Sequence, residues 1–362
     1  HCSSPTYGAA LESRGGSGGY SGGARLIAMP LPIPEDSPLS VPQWHARPVP
    51  FRVEPLRRWL HAAWDEFVSR HSGGWMWHLT GWIEYQRAYA RGAGEDHSFA
   101  VLDESHRIVA VVPLFVFRPP GKTPELSYAG DPLPLPLLRD AGAARIVEEE
   151  IGRIAREAGA CLYRAAGHPF RSASSAGNDL SIPLRSTGAA AQRVVESASW
   201  KDIRDSYRSL IHGGERQYVI STHRGLGASA AFSAYERLHR RLYGGRPDAT
   251  YRLQREWLLD GRALVVLAEE STAAWGAAYW FVYKRRAYYG SGAYLARNIS
   301  HAVVWHALQA LQAFGVEQAS LGWQGVARTE KERGIEWFKT GFGGHDVPVN
   351  IVEMTFGAEG AR

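Results

Sequence analysis

The sequence predicts an α/β (α+β) fold built from two similar units in tandem, each with a mixed central sheet flanked by helices. The order helix, β-hairpin, loop, helix, strand occurs twice, at an offset of roughly 165 residues. A chain of 362 residues is long enough for two hydrophobic cores. We therefore expect a disordered or extended N-terminal segment over residues 1–54, a first domain over residues 55–195 and a second domain over residues 196–357.

The first unit opens with two amphipathic patterns. Apolar residues spaced by three and four predict a helix over Leu56–Ser69 and another over Thr80–Arg91, which Gly92 would end. The other predicted elements are the strands Ser98–Leu102 and Ile108–Phe117, the loop Pro119–Pro136, the helix Ala141–Ala158 and the strand Cys161–Ala165.

The second unit repeats this order. Segments with helical spacing of apolar residues and segments with strand-like alternation follow one another in the same order as in the first unit. The predicted elements are the helices Ala231–Tyr243 and Leu253–Leu259, the strands Ala263–Ala268, Ala274–Tyr283 and Ala287–Ser291, the helix Ile299–Phe314 and the strand Gln318–Leu321.

Composition and motifs exclude several classes of protein. Hydrophobic residues make up 45% of the chain and charged residues 21%, as in ordinary globular proteins. Two cysteines, Cys2 and Cys161, give neither a disulfide framework nor a metal motif, and scattered histidines give no zinc site. No apolar run reaches the length of about 18 residues that a transmembrane helix needs. Gly-x-Ser-x-Gly occurs only in the Gly- and Ser-rich stretch of residues 15–23, with no strand-like pattern before it, which argues against a serine hydrolase.

The charge balance gives a weak indication of the partner. The formal net charge is +5, which fits an anionic substrate, but many basic proteins bind no anion specifically. The chain carries no nucleic-acid recognition motif, so we expect no DNA partner.

One lysine near the C-terminus attracts attention because lysine is rare in this chain. Lys339 is one of five lysines and is flanked by Trp337, Phe338 and Phe342. An apolar wall could desolvate its ammonium group, whose pKa responds to burial. The alternative is a surface lysine beside a glycine-rich turn, and these residues alone do not decide between the two.

The run Ile335–Gly344, read as Ile-x-x-Phe-Lys-x-Gly-Phe-Gly-Gly, resembles the signature that closes the last domain of FemAB-like transferases. That family has two GNAT-type (N-acetyltransferase-fold) halves, and the resemblance extends over roughly residues 55–355. It implies two tandem GNAT-like domains, the second of which carries the Phe-Lys pair.

The resemblance also implies a function. The expected activity is transfer of an acetyl or aminoacyl group from acyl-CoA or aminoacyl-tRNA to an amine of a cell-envelope sugar or peptidoglycan-type precursor. No tightly bound cofactor and no metal are expected. The protein would be bacterial and cytoplasmic. One alternative carrier of the donated group is tRNA, and peripheral contact with a membrane-bound precursor is a further expectation. The rival interpretation is a catalytically silent GNAT-like module that binds sugar nucleotides or a partner protein.

Site residues follow from the same resemblance. Phe338 and Lys339 would be catalytic, next to the reacting end of the acyl donor. Arg208 matches the family's Arg-x-x-Ile, in which the arginine contacts an anionic part of the acceptor, and Tyr207 precedes it. A solvated helix face is the alternative for Arg208.

Further substrate-binding candidates are scattered along the chain. Tyr289 and Ser291 lie where a strand runs into glycines that allow close backbone approach, although strand tyrosines are commonly core residues. His239 belongs to a Leu-His…Gly-Arg segment similar to one in a subgroup associated with bacterial surface sugars, and Trp323 follows the predicted strand Gln318–Leu321. In the first unit, the family's phosphate-gripping lysine corresponds to Gln86, and Arg87 next to it is the candidate. This departure leaves the identity of the acceptor open.

Overall fold

The computed structural model describes residues 51–170, 186–296, 298–324, 327 and 329–356. Most of the predicted N-terminal segment lies outside these ranges. The helices in the described ranges are α1 (His61–Arg70), α2 (Thr80–Tyr89), α3 (Ala143–Ala158), α4 (Asp205–Gln217), α5 (Ser229–Tyr243), α6 (Asp248–Leu259), α7 (Ile299–Ala313) and α8 (Glu330–Thr340). The strands are β1 (Arg52–Pro55), β2 (Gly94–Asp96), β3 (Phe99–Leu102), β4 (Ile108–Val112), β5 (Phe115–Phe117), β6 (Glu125–Leu126), β7 (Leu133–Pro134), β8 (Leu137–Leu138), β9 (Leu162–Ala166), β10 (Ser186–Val195), β11 (Val219–His223), β12 (Ala263–Glu270), β13 (Ala273–Tyr283), β14 (Arg286–Tyr294), β15 (Gln318–Gln324) and β16 (His345–Thr355).

These strands form two sheets. The smaller sheet has four strands in the order β1-β3-β4-β8. The larger sheet has twelve strands in the order β11-β12-β13-β14-β15-β10-β16-β9-β6-β5-β2, and β7 also pairs with β9. Among the helices of the described ranges, none has the length and apolar character needed to cross a membrane.

The first half departs from the predicted elements around its prolines. The predicted strand Ile108–Phe117 divides at Pro113 into β4, in the small sheet, and β5, in the large sheet. Proline has no backbone N–H to give to a ladder, so a strand tends to end there. The predicted loop Pro119–Pro136 contains β6 and β7, which both run parallel to β9. Strands of two residues are too short to produce a visible alternation in the sequence.

The helix α3 of the first half matches its predicted range, Ala141–Ala158, closely. Val147, Ile151 and Ile154 on α3 are buried against the sheet, as residues spaced by three and four on one helix face must be. Gly159 ends the helix in the left-handed region, at φ 65°, where glycine carries no steric penalty.

The repeated order of elements is present in the second half. Two helices, α5 and α6, precede the antiparallel strands β12, β13 and β14, and α7 and β15 follow. α6 begins at Asp248, five residues before the predicted start, with Pro247 directly ahead of it. Proline is favoured at such a start because it has no N–H to leave unpaired.

The charged segment after β15 is a helix that the sequence analysis did not assign. α8 begins with a capping box in which the Thr329 hydroxyl accepts from the backbone N–H of Glu332, whose carboxylate accepts from the backbone N–H of Thr329. Such a pair satisfies two of the helix's unpaired donors. β15 itself continues three residues beyond its predicted end at Leu321.

The two halves share hydrogen bonds. β10, at the end of the predicted first domain, lies between β15 and β16 of the second half. β16 in turn pairs with β9 of the first half. The large sheet therefore runs across both halves without a break, and the domain limits near residue 195 stay a prediction.

An aromatic cluster also packs between the halves. Trp75 and Tyr85 from the first half meet Tyr235, Trp257 and Tyr279 from the second in one buried cluster. Burial of such large side chains stabilises the arrangement of the halves because each removes an extensive apolar surface from water.

Substitution of a buried residue on the shared strand should destabilise the whole chain. Val194 of β10 is fully buried, between Ser320 and His345 on the neighbouring strands. We expect Val194→Ala to lower the free energy of unfolding by about 2–3 kcal/mol, since it removes two buried carbons and leaves a cavity. Urea denaturation measures this change.

The matched control is Val219→Ala on the edge strand β11, where the residue is 73% exposed. That variant should change the unfolding free energy by less than about 0.5 kcal/mol. Equal losses in the two variants would contradict the central position of β10.

Candidate active site

The candidate active site is built on the separation of two parallel strands. β14 and β15 pair only from Arg286 and Gln318 to Tyr288 and Ser320. Beyond these residues β14 stays with β13, while β15 stays with β10. In the described part of the sheet, the facing backbone edges of β14 and β15 therefore diverge and leave a wedge between them.

β14 carries a bulge at this wedge. Tyr279 faces Ser291 and Trp280 faces Tyr289, so that Gly290 is the extra residue. A Cβ at Gly290 would lie 2.5 Å from the Phe281 ring, so only glycine fits. A bulge re-aims the backbone and side chains next to it.

Because of the bulge, the predicted candidates Tyr289 and Ser291 point to opposite faces of the sheet. The Tyr289 hydroxyl lies 3.0 Å from that of Tyr294, on the face that α7 covers. The Ser291 hydroxyl lies 2.6 Å from that of Tyr235, on the face covered by α5. We call this second face the cleft face, because Trp77 from the first half packs on it 5.5 Å from the ring of Tyr288.

Lys339 lies at the wedge and is partly buried. Its Nζ donates a hydrogen bond to the backbone carbonyl of Trp323, at 2.9 Å. Gly322 has φ +91°, and a Cβ there would lie 3.4 Å from Lys339 Nζ and 3.6 Å from the Tyr288 hydroxyl. The ammonium group, the hydroxyl and the Trp323 carbonyl thus surround the same glycine of β15. The predicted candidate Trp323 is part of this group through its backbone.

Phe338 and Tyr207 lie behind Lys339 in a packed aromatic cluster. The Phe338 ring is 5.0 Å from His301, 5.1 Å from Phe342 and 6.1 Å from Tyr207. Tyr207 is only 1% exposed. These two predicted site residues are therefore in position to support α8 through packing.

A residue that the sequence analysis missed, Arg204, fixes the end of α8. Its guanidinium donates to the carbonyl of Trp337 at 3.2 Å and to the hydroxyl of Thr340 at 2.7 Å. It also lies 3.8 Å from the centre of the Trp337 ring, where a cation–π interaction adds to the hydrogen bonds. Its backbone N–H donates to the carbonyl of Gly341. The sequence does not mark Arg204 as a support of α8, because its partners on that helix, Trp337 and Thr340, lie more than 130 residues away.

The remaining predicted arginines lie apart from the wedge. Arg208 pairs with Asp205 at 3.0 Å and donates to the Lys201 carbonyl at 3.1 Å, so its guanidinium already has partners near its own helix. Arg87 is on the exposed side of α2. The structure does not bring either side chain to Lys339.

His239 is buried on the cleft face, at 3% exposure. Its Nδ1 lies 2.9 Å from the Tyr251 hydroxyl, and within the described residues its Nε2 has no hydrogen-bond partner. Burial, with the charges of Arg246 and Arg240, lowers the pKa of His239 to about 3. The imidazole is therefore neutral near pH 7.

The depressed pKa predicts a pH dependence of stability. An unfolded histidine binds a proton near pH 6.5, whereas folded His239 does not until about pH 3. Stability is therefore lost as the pH falls between these values, at about 1.4 kcal/mol per pH unit from this group. In urea denaturation from pH 6 to pH 4, the unfolding free energy of His239→Asn should fall less steeply than that of the unsubstituted chain by this amount. Parallel curves would contradict the assignment.

The comparisons with known proteins concern the fold. No protein-family model and no curated protein sequence matches the chain. Among solved structures, FemX is similar over 84% of this chain and 97% of its own length, with a TM-score of 0.57 and 11% identity. A conserved protein of unknown function from Bacteroides thetaiotaomicron is similar over 85% of this chain and 100% of its own, with a TM-score of 0.50 and 8% identity. The resemblance to FemAB-like transferases is thus confirmed at the level of the fold, which is similar to that of FemX.

Proposed function

We propose that this chain is an acyltransferase that moves an acetyl or aminoacyl group to an amine of a cell-envelope sugar or peptidoglycan-type precursor. The observation that carries the proposal is the wedge between β14 and β15 with Lys339 Nζ at its rim. A wedge with backbone donors on one side and a cation on the other suits a polarised acyl carbonyl.

The reaction balances without a covalent enzyme intermediate. The uncharged amine attacks the acyl carbonyl, a C–N bond forms, the bond to the donor's sulfur or oxygen breaks, and the proton lost from the amine ends on the leaving thiol or hydroxyl group. Negative charge develops on the carbonyl oxygen in the transition state. An ammonium about 4 Å away contributes about 4 kcal/mol at an effective dielectric of 20, which is enough to influence the rate strongly.

The hydrogen bond from Lys339 to the Trp323 carbonyl supports this role by directing the ammonium toward β15. Arg204 supports it indirectly, since it holds the last turn of α8, from which Lys339 projects. A preorganised donor stabilises charge without a reorganisation cost at the moment of reaction.

The acyl donor belongs to the second half in this proposal. In the first half the corresponding strand, β9, is paired in parallel with β6 at Leu162 and Tyr163 and with β7 at Ala165 and Ala166. Among the described strands, that edge of β9 is paired near both of its ends and shows no comparable wedge. The donor is acyl-CoA or aminoacyl-tRNA, neither of them tightly bound.

The acceptor fits the cleft face, between the halves. Of the predicted substrate-binding residues, Ser291 and His239 lie on this face, and Trp77 and Tyr288 join them there. Four other predicted residues are less favoured as acceptor ligands, because their side chains lie away from the cleft face: Arg208, Arg87, Tyr207 and Tyr289. The proposed setting is the cytoplasm, with peripheral contact if the precursor is membrane-bound.

Removal of the ammonium group should reduce turnover and leave the fold intact. We expect Lys339→Met to lower kcat by about 10²–10³-fold, because one electrostatic contact to the developing oxyanion is lost. The control is Lys331→Met, an exposed lysine on the same helix, which should keep full activity. Thermal unfolding of both variants checks the fold. Full activity in Lys339→Met would refute the role of this lysine.

The donor can be identified directly. The protein is incubated with a crude pool of cell-envelope precursors and either radiolabelled acetyl-CoA or radiolabelled aminoacyl-tRNA. We expect label to pass from one donor to an amine of the pool, and Lys339→Met should abolish the transfer. If ligands bind and neither donor transfers label, the chain is instead a silent module that binds sugar nucleotides or a partner protein.

A further inference from the structure

A second cationic group lies on the cleft face, apart from Lys339. Arg246, in the connection between α5 and α6, reaches across to the first half, where its Nη1 donates to the Tyr85 hydroxyl at 3.2 Å. Its backbone N–H donates to the Tyr251 hydroxyl at 3.3 Å. The residue is partly exposed, although burial removes much of its charged group from water.

The charge of Arg246 has no acidic partner in the described part of the chain. Two acids on the adjoining helices, Glu236 of α5 and Asp248 of α6, are both bound by Arg240, each at 2.7 Å. No carboxylate of a described residue lies within ion-pair distance of Arg246. A buried cation without a counter-ion is costly, and such groups are normally paired.

The groups that do surround Arg246 are neutral. Tyr85, Tyr235, Tyr89 and Tyr251 lie around it. Burial raises the pKa of Tyr85 to about 12 and also raises that of Tyr235, so both hydroxyls stay protonated. His239 is neutral for the reason given above. The positive charge is therefore left uncompensated.

Three buried polar atoms in the same cluster lack hydrogen-bond partners among the described residues. Gln254 is completely buried, and neither its Nε2 nor its Oε1 is bonded; His239 Nε2 is the third atom. Gln254 is close enough to the Tyr235 hydroxyl to interact with it, but the two groups do not have the geometry of a regular hydrogen bond. Buried polar atoms are nearly always satisfied, so such a group of exceptions indicates a place for a bound polar molecule.

The cluster is connected to the wedge. The Tyr235 hydroxyl lies 2.6 Å from that of Ser291, which directly follows the bulge at Gly290. Tyr235 would thus connect a molecule held at Arg246 to the backbone of β14 at the wedge, which faces the acyl carbonyl in the proposed function.

We propose that Arg246, with the Tyr85 hydroxyl beside it and the Gln254 amide in the same cluster, binds a single oxyanion, either a carboxylate or a phosphate group. The planar guanidinium fork matches both groups and can bind them through two hydrogen bonds. The assignment of this oxyanion to the acceptor, as the anchor that orients its amine, rests on the proposed transferase function. The binding site itself does not depend on it.

Titration with inorganic phosphate and, separately, with acetate tests the proposal. The reporter is the side-chain NH₂ signal of Gln254 in a ¹H–¹⁵N correlation spectrum, assigned by its loss in Gln254→Leu, with sodium chloride as the ionic-strength control. We expect a saturable shift with at least one of the two anions, and the tighter one identifies the kind of group that the acceptor carries. If neither anion gives a saturable shift, the proposal is wrong.

Variants locate the site. Arg246→Met should weaken the apparent affinity at least tenfold, and Tyr85→Phe, which keeps the cation and removes one hydroxyl, should weaken it about fivefold. Arg237→Met, an exposed arginine on α5, should leave the affinity unchanged. If Arg246→Met fails to fold, Tyr85→Phe alone decides, and unchanged affinity in it refutes the site. The anion titration contains no acyl donor, so it is independent of the labelling experiment. Anion binding without transfer of label would refute only the transferase function. Transfer of label without anion binding would refute only this site.

Discussion

The wedge between β14 and β15 is the feature on which the rest of the site depends. Two parallel strands that pair for only three residues leave backbone groups facing each other without a ladder between them. The pairing of β15 with β10 and of β14 with β13 maintains this separation. The wedge thus results from the pairing of β14 and β15 with different neighbours in one continuous sheet. The bulge at Gly290 determines which side chains of β14 face the cleft.

Lys339 is useful at this wedge only if α8 keeps its position. α8 has a capping box at its start and is held at its end by Arg204, whose guanidinium also lies over Trp337. Phe338 and Tyr207 fill the space behind it. The aromatic and basic residues around the Phe-Lys pair therefore form a support for one ammonium group, and most of them need not touch a substrate.

The cleft face combines two cations with neutral hydroxyls. Lys339 lies beside the Tyr288 hydroxyl, and Arg246 lies among tyrosines whose protons are retained because burial disfavours the phenolate. His239 is neutral for the same physical reason. Positive charge on this face agrees with the anionic acceptor proposed above and with the basic net charge of the chain.

The sequence by itself determined the elements of the repeated order, but not α8 or the short strands β6 and β7. The spacing of Val147, Ile151 and Ile154 gave α3, the repeated order indicated two similar halves, and the Ile335–Gly344 pattern indicated the fold. Only the tertiary structure decided how these elements meet. It joined the halves through β10 and β16, and it separated Tyr289 from Ser291 across the sheet through the bulge. It also brought Arg204 to α8 and Arg246 to Tyr85. Propensity and spacing act over a few residues, whereas the contacts of β10 and β16, of Arg204 and of Arg246 join residues more than 100 positions apart, and their energies exist only once the chain has folded.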